Sequence, residues 1–489
     1  MQFTTQMKID SCHKEFLEAS TQYTGTLRAR LLTSLLKKES GTELKKKYIA
    51  EYGVTARQFN SLISEVRGII SSAEELRKRN IEEAKIRIAS CKKRIKTLEK
   101  KLKDCSPACG INGNRSPRKS VKFAIHQKKR RQGILEARLK KLQTKVSICL
   151  GGKKLFKAQY NLEANGYESH QEWLEDFRRK RNNRVFYIGS KDESFGNQNC
   201  QLIGNKLLIR VLPHLQAGYG DCYTIANISF AYGKEEVTQA IAKKQAINYR
   251  LIYKKKNWYL QLTTQREDAP QITRKELGVI GVDLNPSHLS WAEVNRHGNL
   301  IAFGNIPTPL QDRRSDQVKA TLGDAIKEIV EYAKKVQKPI VVEELDFSKK
   351  KARLREYSVR YRRMLSYFAY SLFFLMLISK ALRAGVQVIT TNPAYSSLIG
   401  KFKFMSMYGL CTHLAASLVL ARRAFGFSER LPAKYALGLA EHKYRHVWSF
   451  WRAFSKAVSN REPRVGLVSR QPGANPSSLS STPGLTCDS

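Results

Sequence analysis

The chain carries 489 residues, with 87 Lys and Arg against 42 Asp and Glu, a formal net charge of +45. A hydrophobic fraction of 42% excludes a disordered basic tail, because that much apolar surface supports packed cores, and the length accommodates about three domains. The charge argues against a freely soluble metabolic enzyme and for a polyanionic partner, since each Lys or Arg set on a phosphate releases condensed counterions.

The N-terminal MQFTTQMKID has no apolar leader, and nine cysteines (12, 91, 105, 109, 149, 200, 222, 411 and 487) form no regular framework. Reduced thiols in a cytosol follow, hence a cytoplasmic protein without a membrane partner. Cys105 and Cys109 are one close pair where a tetrahedral zinc site usually takes two. No zinc is expected.

Apolar residues from Ile81 recur at Ala84, Ile88, Cys91, Ile95, Leu98 and Leu102, a 3,4 spacing that predicts a long amphipathic helix. Leu135, Leu139, Leu142 and Val146 repeat the pattern after an interval broken by Pro107, Gly110, Gly113 and Pro117, so a basic helical hairpin is expected. Its run Lys128, Lys129, Arg130 and Arg131 reads equally as a phosphate grip or a solvated face. Between Asn183 and Glu267 the runs VFYIG, KLLIRVL, YTIANISFAYG and NYRLIYKKKNWYLQLTT are β-branched and aromatic, separated by polar turns. There Lys254, Lys255 and Lys256 stand beside Trp258 and Tyr259, cations and rings that suit a nucleic acid, although ordinary hairpin packing accounts for the rings as well.

From Leu277 the order is three strands (GVIGVDL, LSWAEVN, LIAFGNI), a helix over about 315–337, a strand (PIVVE), an apolar helix over about 361–383, a strand (VQVITT) and a last helix. This is an α/β layer pattern of the ribonuclease-H kind. The apolar stretch Met364–Ile378 is shorter than the ~20 residues that cross a bilayer and reads as a buried helix. Asp283 lies among Val279, Ile280, Val282 and Leu284, and Glu343 ends Ile340–Val341–Val342. A buried carboxylate is costly unless paired or metal-bound, and oxygen donors at strand ends suit magnesium or manganese. Together with the basic chain around them, the two acids point to metal-assisted phosphodiester chemistry.

These residues carry a resemblance. IGVDLN (280–285) resembles the first motif of the RuvC-type nuclease domain in the TnpB family, transposon-encoded relatives of type V CRISPR effectors. IVVEELD (340–346) is similar to the second and puts Glu343, not Glu344, at the catalytic place. TTNPAYSS (390–397) resembles the strand exit before that family's zinc ribbon, and HLAASLVLARRAFG (413–426) its third-motif helix. LEANGYESHQEWL (162–174) and SFAYG (229–233) resemble the divergent TnpB-related branch.

The resemblance implies a multidomain α+β chain: residues 1–10 as first strand of a β-barrel-like wedge module, 11–182 a helical recognition lobe, 183–275 the rest of the wedge module and 276–458 a RuvC/RNase H-like domain without zinc ribbon; residues 459–489, rich in Ser, Pro and Gly, are expected to be a disordered tail. It further implies an RNA-guided DNA endonuclease of an insertion sequence, with guide RNA from the element's end, a double-stranded DNA target and Mg or Mn in a two-metal or degenerate one-metal site held by Asp283 and Glu343. The family's third motif supplies a last Asp. Leu414 stands there, His413 precedes it, and no Asp or Glu occurs between Glu356 and Glu429. His413 is therefore the candidate third catalytic group, and a nuclease-inactive guided binder or repressor, or an unspecific RNA-binding protein with a decayed fold, are the alternatives. An actin-like sugar kinase would need further Gly-rich phosphate turns, which do not follow Glu343.

Overall fold

Alternation of apolar and polar side chains in Asn257–Gln265 turns Trp258, Leu260, Leu262 and Thr264 inward, and the remaining strands of the first half assemble around them. The computed structural model describes residues 2–104, 117–144, 146–191, 193–344, 370–436 and 446–461. Of these, residues up to Ala269 form one compact unit and those from Pro270 onward a second.

In the first unit, β1 (Gln2–Lys8), β2 (Arg184–Tyr187), β6 (Asn248–Lys254) and β7 (Asn257–Gln265) form an antiparallel sheet ordered β1-β7-β6-β2. The chain's first strand thus pairs with its seventh, Phe3 opposite Thr264 and Lys8 opposite Tyr259. β3 (Cys200–Ile203), β4 (Lys206–Arg210) and β5 (Cys222–Ile225) make a second sheet. The β-rich region is two sheets around one core of Leu207, Ile209, Tyr249, Leu251 and Leu260. SFAYG lies beyond the end of β5 and outside any strand.

Helices α1 (Lys14–Leu36), α2 (Gly41–Tyr52) and α3 (Ala56–Asp104) precede α4 (Pro117–Thr144). The 49-residue α3 starts 25 positions before Ile81, where the sequence pattern begins, because it serves two cores in succession. Phe59, Leu62 and Val66 pack with Leu27 and Leu31 of α1 and Leu44 and Tyr48 of α2. Farther along, Ile88 and Cys91 pack with Leu135 and Leu139 of α4. Between them Glu74 and Glu75 face solvent. The tip of this hairpin, with Cys105, Cys109 and Pro107, lies outside the described residues. A buried ion network joins α1, α3 and β2: Glu65 accepts from Arg28 Nε at 2.8 Å and from Arg184 Nε at 2.6 Å. Helix α5 (His170–Arg181) opens on Ser169, whose hydroxyl accepts from Glu172 N, and ends on four basic residues, the arrangement that complements a helix dipole.

The second unit holds a five-stranded sheet ordered β10-β9-β8-β11-β12. β8 (Val279–Leu284), β9 (His288–Val294) and β10 (Leu300–Pro307) are antiparallel, while β11 (Ile340–Glu343) and β12 (Val388–Thr391) run parallel to β8 and to each other. Helices α6 (Ser315–Val336), α7 (Tyr370–Ala384), α8 (Thr412–Ala424) and α9 (Val447–Arg461) complete it. Tyr332 of α6 lies tilted against Trp291 and donates to Glu293, which places α6 on the sheet face of Ile280 and Val282. α8 covers the opposite face: a Cβ on Gly281 would lie 2.0 Å from Ser417 O, so only glycine allows this approach. The unit is an α/β/α sandwich with Leu414 to Ala421 buried in it.

Segment 364–369 of the apolar stretch lies outside the described residues, and Tyr370–Ala384 is helical with Phe373, Leu377 and Ala381 buried. No single helix among the described residues is long and apolar enough to cross a membrane. α9 runs to Arg461, past the sequence-based tail boundary at 459, and the remaining tail lies outside the described residues.

Candidate active site

Two strand ends and one helix start build the site. Val282 pairs with Val342 across β8 and β11, so Asp283 and Glu343, the next residue on each strand, are neighbours at the carboxyl ends of parallel strands. Both are two positions beyond residues that face α8, Gly281 and Val341, and period two gives them that same face. α8 descends against β8, with Ser417 over Gly281 and His413, one turn earlier, over Asp283.

His413 Nδ1 lies 3.3 Å from Asp283 Oδ2, and Asn285 Nδ2 donates to the same oxygen at 3.1 Å. Neither bond uses Oδ1. The Asp283 side chain is 13% exposed and that of His413 45%, so the imidazole stands at the rim. Ser417 donates to His413 O at 2.8 Å, tying the first turn to the next. As the second residue of α8, His413 also brings the positive end of the helix dipole beside the carboxylate.

His288, at the start of β9, meets His413 edge-on with ring centroids 5.1 Å apart, and its Nδ1 is 2.9 Å from Ser287 Oγ. Burial, and then the nearby His413, push the His288 imidazole below its usual range, with Asp283 acting oppositely. At the other carboxylate, Ser396 Oγ donates to Glu343 Oε1 at 2.7 Å. Glu344 is exposed.

The helix phase corrects the reading of the third motif. The position aimed at Asp283 is 413; Leu414, 7% exposed, turns into the core with Ile399, Phe404 and Leu418. An acid at 414 would face that core. Among the described residues no three His, Cys, Asp or Glu side chains form a group suited to a metal. Mg2+ is commonly held by one or two carboxylates with waters and substrate phosphates, and the neighbouring Asp283 and Glu343 fit one such ion. The two-ion alternative takes further carboxylates to offset the repulsion between cations.

The candidate nucleic-acid contacts divide. Lys254, Lys255 and Lys256 are exposed at the β6–β7 tip, a two-residue turn in which Lys255 and Lys256 have φ of 51° and 63°. Trp258 does not join them: it is 5% exposed, packed in the core beside Tyr253, and offers no face to a base. Lys129 pairs with Glu99 of α3 at 3.6 Å, so one cation of the 128–131 run helps hold the hairpin together. Lys129 and Arg130 are exposed, Lys128 and Arg131 half-buried. Sequence reading missed Asn285, His288, Ser396 and Arg423. All four lie in or beside the segments carrying the resemblance; the missing signal was the register that brings them towards the carboxylates.

No protein-family profile and no curated protein matches the sequence. Among solved structures, RuvC of T. thermophilus in complex with a Holliday junction substrate aligns over 31% of this chain and 94% of its own, at 20% identity and a TM-score of 0.23. A CRISPR-Cas12f ternary complex aligns over 88% of this chain and 99% of its own, at 12% identity and a TM-score of 0.21. At these scores neither alignment bears on activity.

Proposed function

We propose that the chain is a TnpB-like, RNA-guided DNA-binding protein of an insertion sequence, and that Asp283, Glu343 and His413 hydrolyse a DNA phosphodiester. The observation that carries this is the pair of carboxylates at neighbouring parallel strand ends with an imidazole on one of them. The net charge of +45 supports a partner gripped by its phosphate backbone, with sequence read by pairing to a bound guide.

Asp283 and Glu343 would hold one Mg2+ or Mn2+, which supplies neutralisation of phosphate charge and a lowered pKa for bound water. Nδ1–H of His413 donates to Asp283, and that tautomer leaves the Nε2 lone pair to accept a proton from the attacking water. The water oxygen bonds to phosphorus as the bond to the leaving sugar oxygen breaks, and that oxygen takes a proton from solvent. Asp283 stabilises the imidazolium that results and keeps the ring from rotating away.

The test has two stages. RNA retained through a high-salt purification is sequenced, and one dominant species ending outside the gene is expected; a smear of cellular RNA selects the unspecific RNA-binding alternative. Guided cleavage is then measured in Mg2+ and Mn2+, with loss in Asp283→Ala expected. A second reading, a guided binder that does not cut, is favoured by the lack of a third acid converging on Asp283 and Glu343 among the described residues. Robust guided binding without cleavage in either ion selects it.

A further inference from the structure

Glu343 ends a strand, where a glutamate keeps several accessible rotamers unless something fixes it. Here Ser396 does: its hydroxyl, on a residue only 3% exposed, donates to Oε1 at 2.7 Å, shorter than its 3.2 Å approach to Pro393 O. Ser396 opens a short helical turn, Ser396–Ile399, after a loop that leaves β12 at Thr391. That loop is closely specified. Asn392 Oδ1 accepts from Ala394 N at 2.8 Å, Ser396 N donates to Pro393 O, and Tyr395 sits at φ 62°. A large side chain in the left-handed region costs about 1–2 kcal/mol, and such a conformation persists only where its surroundings impose it.

Arg423, in the last turn of α8, supplies much of that imposition. Its NH1 donates to Asn392 O and its NH2 to Ala394 O, so one planar fork clasps both carbonyls flanking Pro393. Burial lowers its pKa, and the carboxylates of Glu343 and Glu429 act the other way, so the guanidinium lies in the field of Glu343. Ordinary compensation of the α8 dipole needs neither this fork nor these partners. The tie runs from α8, which carries His413 at its start, to the loop that aims Ser396, and from Ser396 to the second carboxylate.

We propose that Ser396 and Arg423 are positioning residues for Glu343: the Ser396 hydroxyl fixes the carboxylate rotamer, and the Arg423 fork braces the loop that presents Ser396. This deepens the hydrolase reading and rests on it for its consequence. A carboxylate aimed beforehand loses less freedom when a cation arrives, and partners of this kind are worth about 10–100-fold in metal affinity or activity.

Mn2+ affinity of the full chain is measured by calorimetry for wild type, Ser396→Ala, Ser396→Thr, Arg423→Lys and Asp283→Ala, with melting temperatures alongside. Ser396→Ala is expected to weaken Mn2+ binding about tenfold at an unchanged melting temperature, Ser396→Thr to recover most of it, and Arg423→Lys to weaken it as well. Unaltered affinity in a folded Ser396→Ala overturns the proposal. Crystal structures of wild type and Ser396→Ala give a second reading that needs no metal: Glu343 is expected in one rotamer in the first and redistributed in the second, and an unmoved Glu343 overturns the proposal. Should wild type lack an Mn2+ site that Asp283→Ala removes, the hydrolase reading falls, while the rotamer comparison still decides the positioning.

Discussion

His413 and Asp283, 130 positions apart in the chain, meet at 3.3 Å because α8 packs backbone-close on β8 at Gly281 and carries its second residue to the strand's carboxyl end. The neighbouring Leu414 points the other way, so exchanging the two positions is not a conservative experiment. His413→Asp is expected to leave folding intact and to lower cleavage, because it removes the imidazole placed to accept the water's proton. Leu414→Asp is expected to destabilise by about 3–5 kcal/mol, the range for an uncompensated buried charge, without raising cleavage. Urea unfolding and a cleavage assay on both variants separate these outcomes.

Gly281→Ala tests the close approach itself. The added Cβ would lie 2.0 Å from Ser417 O and 2.8 Å from Ala421 N, both backbone atoms, so α8 must shift. A loss of about 3 kcal/mol is expected by denaturant unfolding, together with weaker cleavage, because His413 moves with the helix. A fully stable and active Gly281→Ala would show that α8 does not need this contact.

His288 gives a pH signature. Burial first, then His413, favours its neutral form in the folded state, against the usual 6.5. A lowered folded value means that its contribution to stability is complete above pH 6.5 and is lost as pH falls through the folded value. Histidine NMR is expected to show a midpoint below 6.5 that rises in His413→Asn, where the neighbouring imidazole is gone, and falls further in Asp283→Asn. A midpoint unmoved by His413→Asn contradicts the edge-to-face pairing.

Lys255 and Lys256 hold left-handed conformations that Asn-Gly adopts readily, so the tip has been occupied by lysines at a conformational cost. The pair Lys255→Asn and Lys256→Gly is expected to stabilise the protein by about 1 kcal/mol or more while removing two cations. If the tip contacts phosphates, the slope of log affinity for nucleic acid against log salt falls by about 1.4–1.8. A gain in stability with an unchanged slope would place the tip outside the interface.

The two carboxylates were legible because an acid amid β-branched apolar residues is conspicuous, and the strands around them follow from the same runs. What could not be read was relative phase. Whether position 413 or 414 of α8 faces the sheet depends on how deeply Gly281 lets the helix settle, and Ser396 matters only once β11 and β12 align Glu343 with Thr391. Trp258 is a different case: its spacing of two from Leu260 and of four from Leu262 marked an inward strand face, and proximity to three lysines was the weaker signal. The early start of α3 escaped the heptad pattern because its first turns answer to another core, on another face.

That double allegiance makes α3 behave as an indexed shaft. Each added residue between Val66 and Ala84 would turn the basic hairpin by about 100° and advance it by about 1.5 Å relative to the α1–α2 core, so a single insertion would swing its cations to a different side. Seven inserted residues would bring the orientation back to within about 20°. This arm could be lengthened without re-aiming whatever it touches only by near-whole numbers of turns, as with about 7, 11 or 18 residues.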